Sequence, residues 1–306
     1  MGQIFRLRGA DGRSVSVEDI PDVANAMDQS FEDRAWAKIQ QSDAMYGDAL
    51  PWSKTHEKLR FRPGEVTAWI GPNGEGKSLL LGYLASHWAL QQTRVLMCSL
   101  EMDVGIQLKR ISRQLLCTES PKRIQFEMLL VRLLFLNFLD YVGHIAPFKM
   151  LEKVSEYGQK FSHIFIDNLT LIVPPGRTSD ESAAVFVRGL MQIARDTGCH
   201  VHLVGHIRKP EEGRRLNRYD WRGTGACPDM VHNVLIVQAN EKKRRLAEKG
   251  DYSKAEEADV FIDVDKQRNG EFHGRMHFWW RPSVLRLVEY GTDQPEAFDP
   301  CDTGRE

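Results

Sequence analysis

The sequence predicts an α/β fold with a mostly parallel central sheet, helices on both of its faces and an antiparallel extension towards the carboxyl end. Three observations carry this reading. A β-rich apolar run, Glu65-Val66-Thr67-Ala68-Trp69-Ile70, leads into Gly71-Pro72-Asn73-Gly74-Glu75-Gly76-Lys77-Ser78, which fits G-x-x-x-x-G-K-[ST] and opens a helical pattern at Leu79. Further strand candidates recur at 94–99, 163–167, 200–205, 233–238 and 259–264, with helical stretches between the earlier ones. A last strand-like stretch, 275–289, reads as a hairpin around Pro282.

Taken in order, residues 1–28 alternate weakly on either side of Ala10-Asp11-Gly12 and predict a small hairpin. Ser30 to Met45 reads as an amphipathic helix, with Phe31, Ala35 and Ile39 on one face, suited to linking or docking. These segments make an amino-terminal extension, 1–50, ahead of the main domain at 51–290. Within that domain, 179–197 is the best-formed helix: Thr178 and Glu181 stand at capping-box spacing, Phe186, Leu190 and Ile193 share a face, and Gly198 stops it. The polar tail, 291–306, carries Pro295 and Pro300 and is expected to fray.

Composition bounds the function. With 42% hydrophobic and 27% charged residues the chain can build a sizeable core, and a net charge of −1 requires any nucleic-acid contact to come from local basic patches. The five cysteines, Cys98, Cys117, Cys199, Cys227 and Cys301, form no C-x-x-C pair, which argues against structural zinc and for reduced, buried thiols. The opening Met1-Gly2-Gln3-Ile4-Phe5-Arg6 runs straight into charged residues, and no apolar run approaches a membrane span. A cytoplasmic protein without a membrane partner is expected.

The glycine-rich stretch explains its own spelling. Gly71, Gly74 and Gly76 are expected to free the backbone so that successive N–H groups curl around a phosphate, with the positive end of the next helix facing the same anion. Lys77 would meet the β- and γ-phosphates, and the Ser78 hydroxyl would be a ligand of Mg²⁺. Pro72, Asn73, Glu75 and Leu79 complete the loop as nucleotide-contact positions. His163-Ile164-Phe165-Ile166-Asp167 is a mostly apolar strand ending in an acid, placing Asp167 to hold the metal. Glu101 follows the 94–99 strand and is the candidate carboxylate for orienting or deprotonating the attacking water.

Ser99-Leu100-Glu101-Met102, Ile166-Asp167-Asn168-Leu169, Gly205-His206-Ile207-Arg208-Lys209 and Arg222-Gly223-Thr224-Gly225-Ala226 occur in the order and approximate spacing of a known family. Over residues 50–290 the chain resembles the RecA-like P-loop NTPase motor of DnaB-type replicative helicases, and looks most like the branch of the phage primase-helicases and Twinkle. Nothing before residue 50 resembles a primase. The resemblance implies an ATP-dependent (or other NTP- or dNTP-dependent) helicase using Mg²⁺. It implies a homo-oligomer, a hexameric ring on single-stranded DNA moving 5′ to 3′, with primase and polymerase as partners, in the host cytoplasm if phage-encoded.

The same resemblance implies roles by position. Lys77 and Ser78 bind nucleotide and magnesium, Glu101 is the catalytic base, and Asp167 the Walker B acid. His206 matches the γ-phosphate sensor, where the family often has Gln. The 207–226 loop matches the channel-lining region, with Arg208, Lys209, Arg222, Gly223, Thr224 and Gly225 facing DNA. Lys266 and Arg268 match the Lys-x-Arg segment whose arginine is a finger offered to the neighbouring subunit, and Phe278 matches an aromatic against the base. Two rival readings remain: a recombinase-like or loader ATPase on DNA, and a nucleotide-binding regulatory partner without turnover.

Overall fold

The computed structural model describes residues 7–8, 14–15, 46–176, 179–207, 214–222 and 225–299. The chain divides into two compact units, residues 1–43 and 44–306. In the first, β1 (Leu7–Arg8) pairs antiparallel with β2 (Ser14–Val15), so the expected small hairpin is present. The helix expected over 30–45 lies outside the described residues, as do Thr178 and residues 300–306.

The second unit runs β3 (Val66–Gly71), α1 (Lys77–Leu90), β4 (Val95–Ser99), α2 (Val104–Leu116), α3 (Arg123–Arg132), β5 (Leu136–Phe138), α4 (Pro147–Gly158), β6 (His163–Asp167) and α5 (Ser179–Thr197). It continues with β7 (His200–His206), a short α6 (Cys227–Met230), β8 (Asn233–Ala239), α7 (Glu241–Glu248), β9 (Val260–Gln267), β10 (Gly274–Arg281) and β11 (Arg286–Val288). Nine strands form one sheet in the order β11-β10-β9-β8-β3-β7-β6-β4-β5. From β8 to β5 the pairs are parallel, and β9, β10 and β11 extend the sheet beyond β8 with each strand antiparallel to the one before it. This is the RecA-like arrangement, a mostly parallel sheet with an antiparallel extension.

Central strands of such a sheet are covered on both faces and read as continuous apolar runs. In β3 every residue is buried. Trp69 packs into a core with Trp88 of α1, Phe165 and Phe61, whereas its neighbours Ala68 and Ile70 join Phe186 and Leu190 of α5 in the opposite core. The α1 helix is apolar on nearly every side because the sheet covers one face and α2 another. Helix α5 stops as expected: Gly198 takes φ 77° and its N–H returns to Ala194 O at 2.8 Å.

Two stretches are more firmly held than their sequence suggests. Leu50, Trp52, Leu59 and Phe61 fill the α1-side core ahead of β3, so the compact unit takes in the segment from 44 onward. The part of the tail at 291–299 is pinned, not frayed: Phe298 N donates to Leu115 O at 2.7 Å, its ring packs on the core, and Glu296 O accepts from Arg286 at 2.7 Å. One apolar residue beside a hydrogen-bonding backbone outweighs the two prolines. Cys98, Cys199 and Cys227 are buried free thiols and Cys117 is half-buried; Cys301 lies outside the described residues. No helix among the described residues is long and apolar enough to cross a membrane.

Candidate active site

Parallel strands bring their carboxyl ends to one edge of the sheet, where α/β folds bind ligands. Strand register makes the convergence concrete, with Gly71 of β3 opposite His206 of β7 and Ser99 of β4 opposite Asp167 of β6. Residues 68 and 135 positions apart in sequence therefore meet along one edge.

The loop after β3 holds Gly74 at φ 79° and Gly76 at φ 78°, left-handed values that a side chain would resist. Gly76 is the N-cap of α1, so the unpaired N–H groups of the first helical turn open onto the loop. Gly71 is glycine for a different reason from the one expected. Its φ is not positive, but a Cβ there would sit 2.1 Å from Val237 O of the neighbouring β8. Pro72 is half-buried and Asn73 exposed on the loop. The Glu75 side chain turns inward: it accepts from Ala239 N at 2.8 Å and lies 3.5 Å from Arg244 of α7, tying the loop to the end of β8.

Lys77 is buried, and its ammonium donates to Gly71 O at 2.9 Å and Pro72 O at 2.7 Å. Burial lowers its pKa, while the carboxylates of Asp167, Glu75 and Glu101 oppose the shift. Asp167 is also buried, and its carboxyl is pushed up to about 6, chiefly by desolvation; the Ser78 hydroxyl hydrogen bond works the other way and the Glu101 charge adds to the rise. A carboxylate held near its titration point beside a hydroxyl suits a divalent cation, which would keep it ionised. No group of three or more His, Cys, Asp or Glu side chains placed to hold a metal occurs among the described residues. The Ser78 hydroxyl and Asp167 carboxyl, hydrogen-bonded to each other, are a donor pair that would suit magnesium of the kind that keeps waters and phosphate oxygens as its other ligands.

Beyond the phosphate loop, Glu101 is half in solvent and close to His206, with 3.8 Å between Glu101 Oε1 and His206 Nε2. Asn168, directly after Asp167, links them. Its side-chain N–H₂ donates to Glu101 Oε1 and, at 2.8 Å, to His206 Nε2, and its Oδ1 accepts from Leu171 N at 3.3 Å. Because Nε2 accepts, the imidazole carries its hydrogen on Nδ1. Burial and the nearby Lys77 charge lower its pKa, so the contact with Glu101 is that of a neutral ring and not an ion pair at neutral pH.

His206 is also joined to the far end of the following loop. Arg222 N donates to His206 O at 2.9 Å, and Ile207 bridges to Trp221. Gly205 makes this possible, since a Cβ there would meet Trp221 Nε1 at 2.1 Å. Trp221 is thus a buried anchor for the loop. Most of the described basic side chains here are engaged internally: Arg214 with Asp220, Arg215 with Asp263 at 3.2 Å and Arg218 with Asp265 at 3.9 Å. Arg222 and Gly225 are exposed, and Arg208, Lys209, Gly223 and Thr224 lie outside the described residues.

The structure does not bring Lys266 and Arg268 to this edge. Strand β9 runs antiparallel to β8, so its end lies at the opposite edge of the sheet. There Lys266 Nζ donates to Pro228 O and Asp229 O, at 3.1 and 2.6 Å, and Arg268 to Asp229 O and Met230 O, both at 3.3 Å. Arg268 N donates to His232 O, and the His232 ring accepts from Val66 N at the start of β3. The length of β3, about 17 Å at 3.3 Å per residue, separates this point from the phosphate loop, farther than an arginine side chain extends.

Phe278 is likewise not where a base could touch it: it is fully buried, 4.5 Å from the Trp52 ring centroid and under Lys54 Nζ. Trp280, two residues on and on the same face of β10, lies nearer the phosphate-loop edge. It lines a cavity of ≈ 210 Å³ beside Gly74, Glu75 and Gly76, with Leu79, Tyr83 and Trp52 among the other walls. Period-2 alternation in Phe278-Trp279-Trp280 was the signal available; Trp52, Gln114 and Arg286, from distant segments, had none.

Comparison with known proteins agrees with this geometry. One solved structure, described as an ATPase domain, is 15% identical with a TM-score of 0.72, and the alignment covers 88% of this chain and 99% of that one. A second, a DnaB-like replicative helicase described with its interactions with primase, is 13% identical with a TM-score of 0.70, covering 86% of this chain and 68% of that one. The chain therefore shares the fold of these two proteins. Residues 55–212, just over half of the sequence, match the family described as AAA domain, and the chain belongs to that family.

Proposed function

We propose that this protein is a ring-forming replicative helicase motor that couples ATP hydrolysis to 5′ to 3′ movement on single-stranded DNA and unwinds duplex. The observation that carries the reading is the hydrogen-bonded path from Glu101 through Asn168 to His206, whose carbonyl is bonded to Arg222 at the far end of the candidate DNA loop. In this reading Lys77 and the amides of the glycine loop bind the β- and γ-phosphates, and Ser78 and Asp167 hold magnesium, which screens phosphate charge when bound. Glu101 takes a proton from, or orients, the attacking water. His206 responds to the γ-phosphate and passes its position to the loop. Arg268, remote from its own phosphate loop, serves the next subunit, which supports a ring, hexameric by resemblance.

The test is twofold. Hydrolysis should rise when single-stranded DNA is added, and a forked duplex with a free 5′ tail should be unwound in preference to one with only a 3′ tail. Hydrolysis indifferent to DNA would remove the motor reading.

A further inference from the structure

The hydrogen bonds around His206 are arranged against the partner expected for it. Asn168 Oδ1 accepts from Leu171 N at 3.3 Å, which fixes the amide so that its N–H₂ points at Glu101 Oε1 and, at 2.8 Å, at His206 Nε2. Nε2 therefore presents a lone pair, and the ring hydrogen is on Nδ1. That nitrogen is buried with no hydrogen-bond partner, so its hydrogen has no acceptor to move to. The ring is still within reach of solvent, its side chain being 20% exposed. Burial and the charges of Lys77, on α1, and Arg222, at the end of the loop, oppose a positive ring, and Glu101, beyond β4, favours one. In this balance the imidazole is neutral.

A γ-phosphate oxygen is an acceptor, and so is Nε2; the two cannot bond without a hydrogen between them. Because Nδ1 keeps its own hydrogen, the one required at Nε2 is a second one. We propose that His206 selects triphosphate over diphosphate by taking up one proton from solvent at Nε2 when the γ-phosphate arrives, and that Asn168 is the positioning residue that keeps Nε2 unprotonated until then. The proposal rests on the reading of His206 as the residue that faces the γ-phosphate. One solvent proton forms the Nε2–H bond, no covalent bond of the protein breaks, and the proton returns to solvent when the phosphate leaves. The Asn168 N–H that faced Nε2 loses its acceptor, since an imidazolium nitrogen has no lone pair to offer. An opposite charge within hydrogen-bond reach favours the charged form by about 1–3 pH units. Because the phosphate raises the imidazole pKa, the preference for triphosphate is strongest at low pH and fades as pH rises through the value in the complex.

The experiment is calorimetric titration of the full-length native protein with magnesium and either ADP or a non-hydrolysable ATP analogue, in buffers of different ionisation enthalpy near pH 6.5. The analogue should take up about half to one proton per site more than ADP, and the ratio of analogue to ADP affinity should fall about 3- to 10-fold between about pH 6.5 and 7.5. His206→Gln keeps a polar side chain that does not titrate, and should abolish the excess uptake and flatten the pH dependence. The same comparison removes the contribution of Asp167, whose carboxyl titrates in this range. Asn168→Ala should cut the excess uptake to about half or less, because an uncapped Nε2, 3.8 Å from Glu101, already holds part of the proton before nucleotide binds; a purely structural role would not move this quantity. Equal proton exchange for the two nucleotides in the native protein overturns the proposal and leaves the phosphate site intact. Excess uptake that survives His206→Gln also overturns it, since the proton then goes elsewhere, and undiminished uptake in Asn168→Ala overturns the positioning role. Failure of both nucleotides to bind overturns the proposal together with the reading on which it rests.

Discussion

The two kinds of glycine in the phosphate loop should respond differently to a single added methyl group. At Gly71 the new Cβ would lie 2.1 Å from Val237 O, against 3.4 Å or more for ordinary contact, and the obstacle is backbone in the middle of the sheet. Relief requires β3 and β8 to part by about 1 Å where they adjoin the loop. Overpacking of this kind costs about 1–3 kcal/mol, and each weakened ladder hydrogen bond about 1 kcal/mol more, so Gly71→Ala should lose about 2–4 kcal/mol. At Gly74 a Cβ meets nothing within 4 Å, and only the φ of 79° is strained. That cost is about 1–2 kcal/mol. Urea denaturation of both variants, without nucleotide and with unchanged m-values, gives the comparison directly. Gly71→Ala should also lose nucleotide affinity beyond its stability loss, because Gly71 O is an anchor of the Lys77 ammonium. A Gly71→Ala protein as stable as the native one, or a Gly74→Ala protein less stable than Gly71→Ala, would refute the reasoning.

Three further outcomes follow from the site. Lys77→Ala should lose nucleotide affinity, whereas Glu101→Gln should keep it and lose turnover, because the first removes a charge that binds ground state and transition state alike; nucleotide titration and hydrolysis rates separate them, and normal hydrolysis by Glu101→Gln would dismiss the assigned base. Arg222→Ala should reduce the slope of log affinity for single-stranded DNA against log salt by somewhat less than one unit, checked by binding isotherms at several salt concentrations. Stability against pH should show two opposed contributions. Burial holds His200 and His202 well below the usual histidine value, and His87 at about 4, so their contribution is present above the unfolded pKa near 6.5 and is lost as pH falls below it, by about 1.4 kcal/mol per fully buried histidine at one pH unit lower. Asp167, raised to about 6, works in the opposite sense, since the folded state takes up its proton first as pH falls. Asp167→Asn should therefore lose stability more steeply than the native protein between pH 6.5 and 5 in urea denaturation, and parallel curves would count against the assignment.

Much of the site was legible because its residues are local and obligatory. The glycine loop had to lie between a strand and a helix, and an acid ending an apolar run such as His163–Asp167 had to reach the carboxyl edge of the sheet. Glu101 followed from the same rule, whereas His206 was singled out only by the family resemblance. Other features depend on distance in sequence. Trp52 Nε1 donates to Leu287 O across 235 residues, and the cavity they help to frame has no local spacing to announce it. Phe278 and Trp280 share one face of β10, and only the strand's position relative to the phosphate loop decides which of them meets the cavity. Gly71 shows the same limit: its glycine is required by Val237, a partner 166 positions away in sequence. The three-residue β5 at the sheet edge was too short to carry a periodicity. The bridging role of Asn168 needed Glu101 and His206 to be seen side by side.

The central claim, a ring whose nucleotide sites are completed across subunit boundaries, is tested most directly by mixing Lys77→Ala with Arg268→Ala protein and measuring hydrolysis with single-stranded DNA present. A Lys77→Ala subunit keeps its arginine and can complete the site of an adjacent Arg268→Ala subunit. Because such a finger contributes about 10³–10⁵ in rate in related phosphoryl transfer, even a few completed sites should lift the mixture well above the sum of the two variants alone. Hydrolysis that never rises above that sum, with subunit exchange established by fluorescence transfer between labelled variants, would contradict the account.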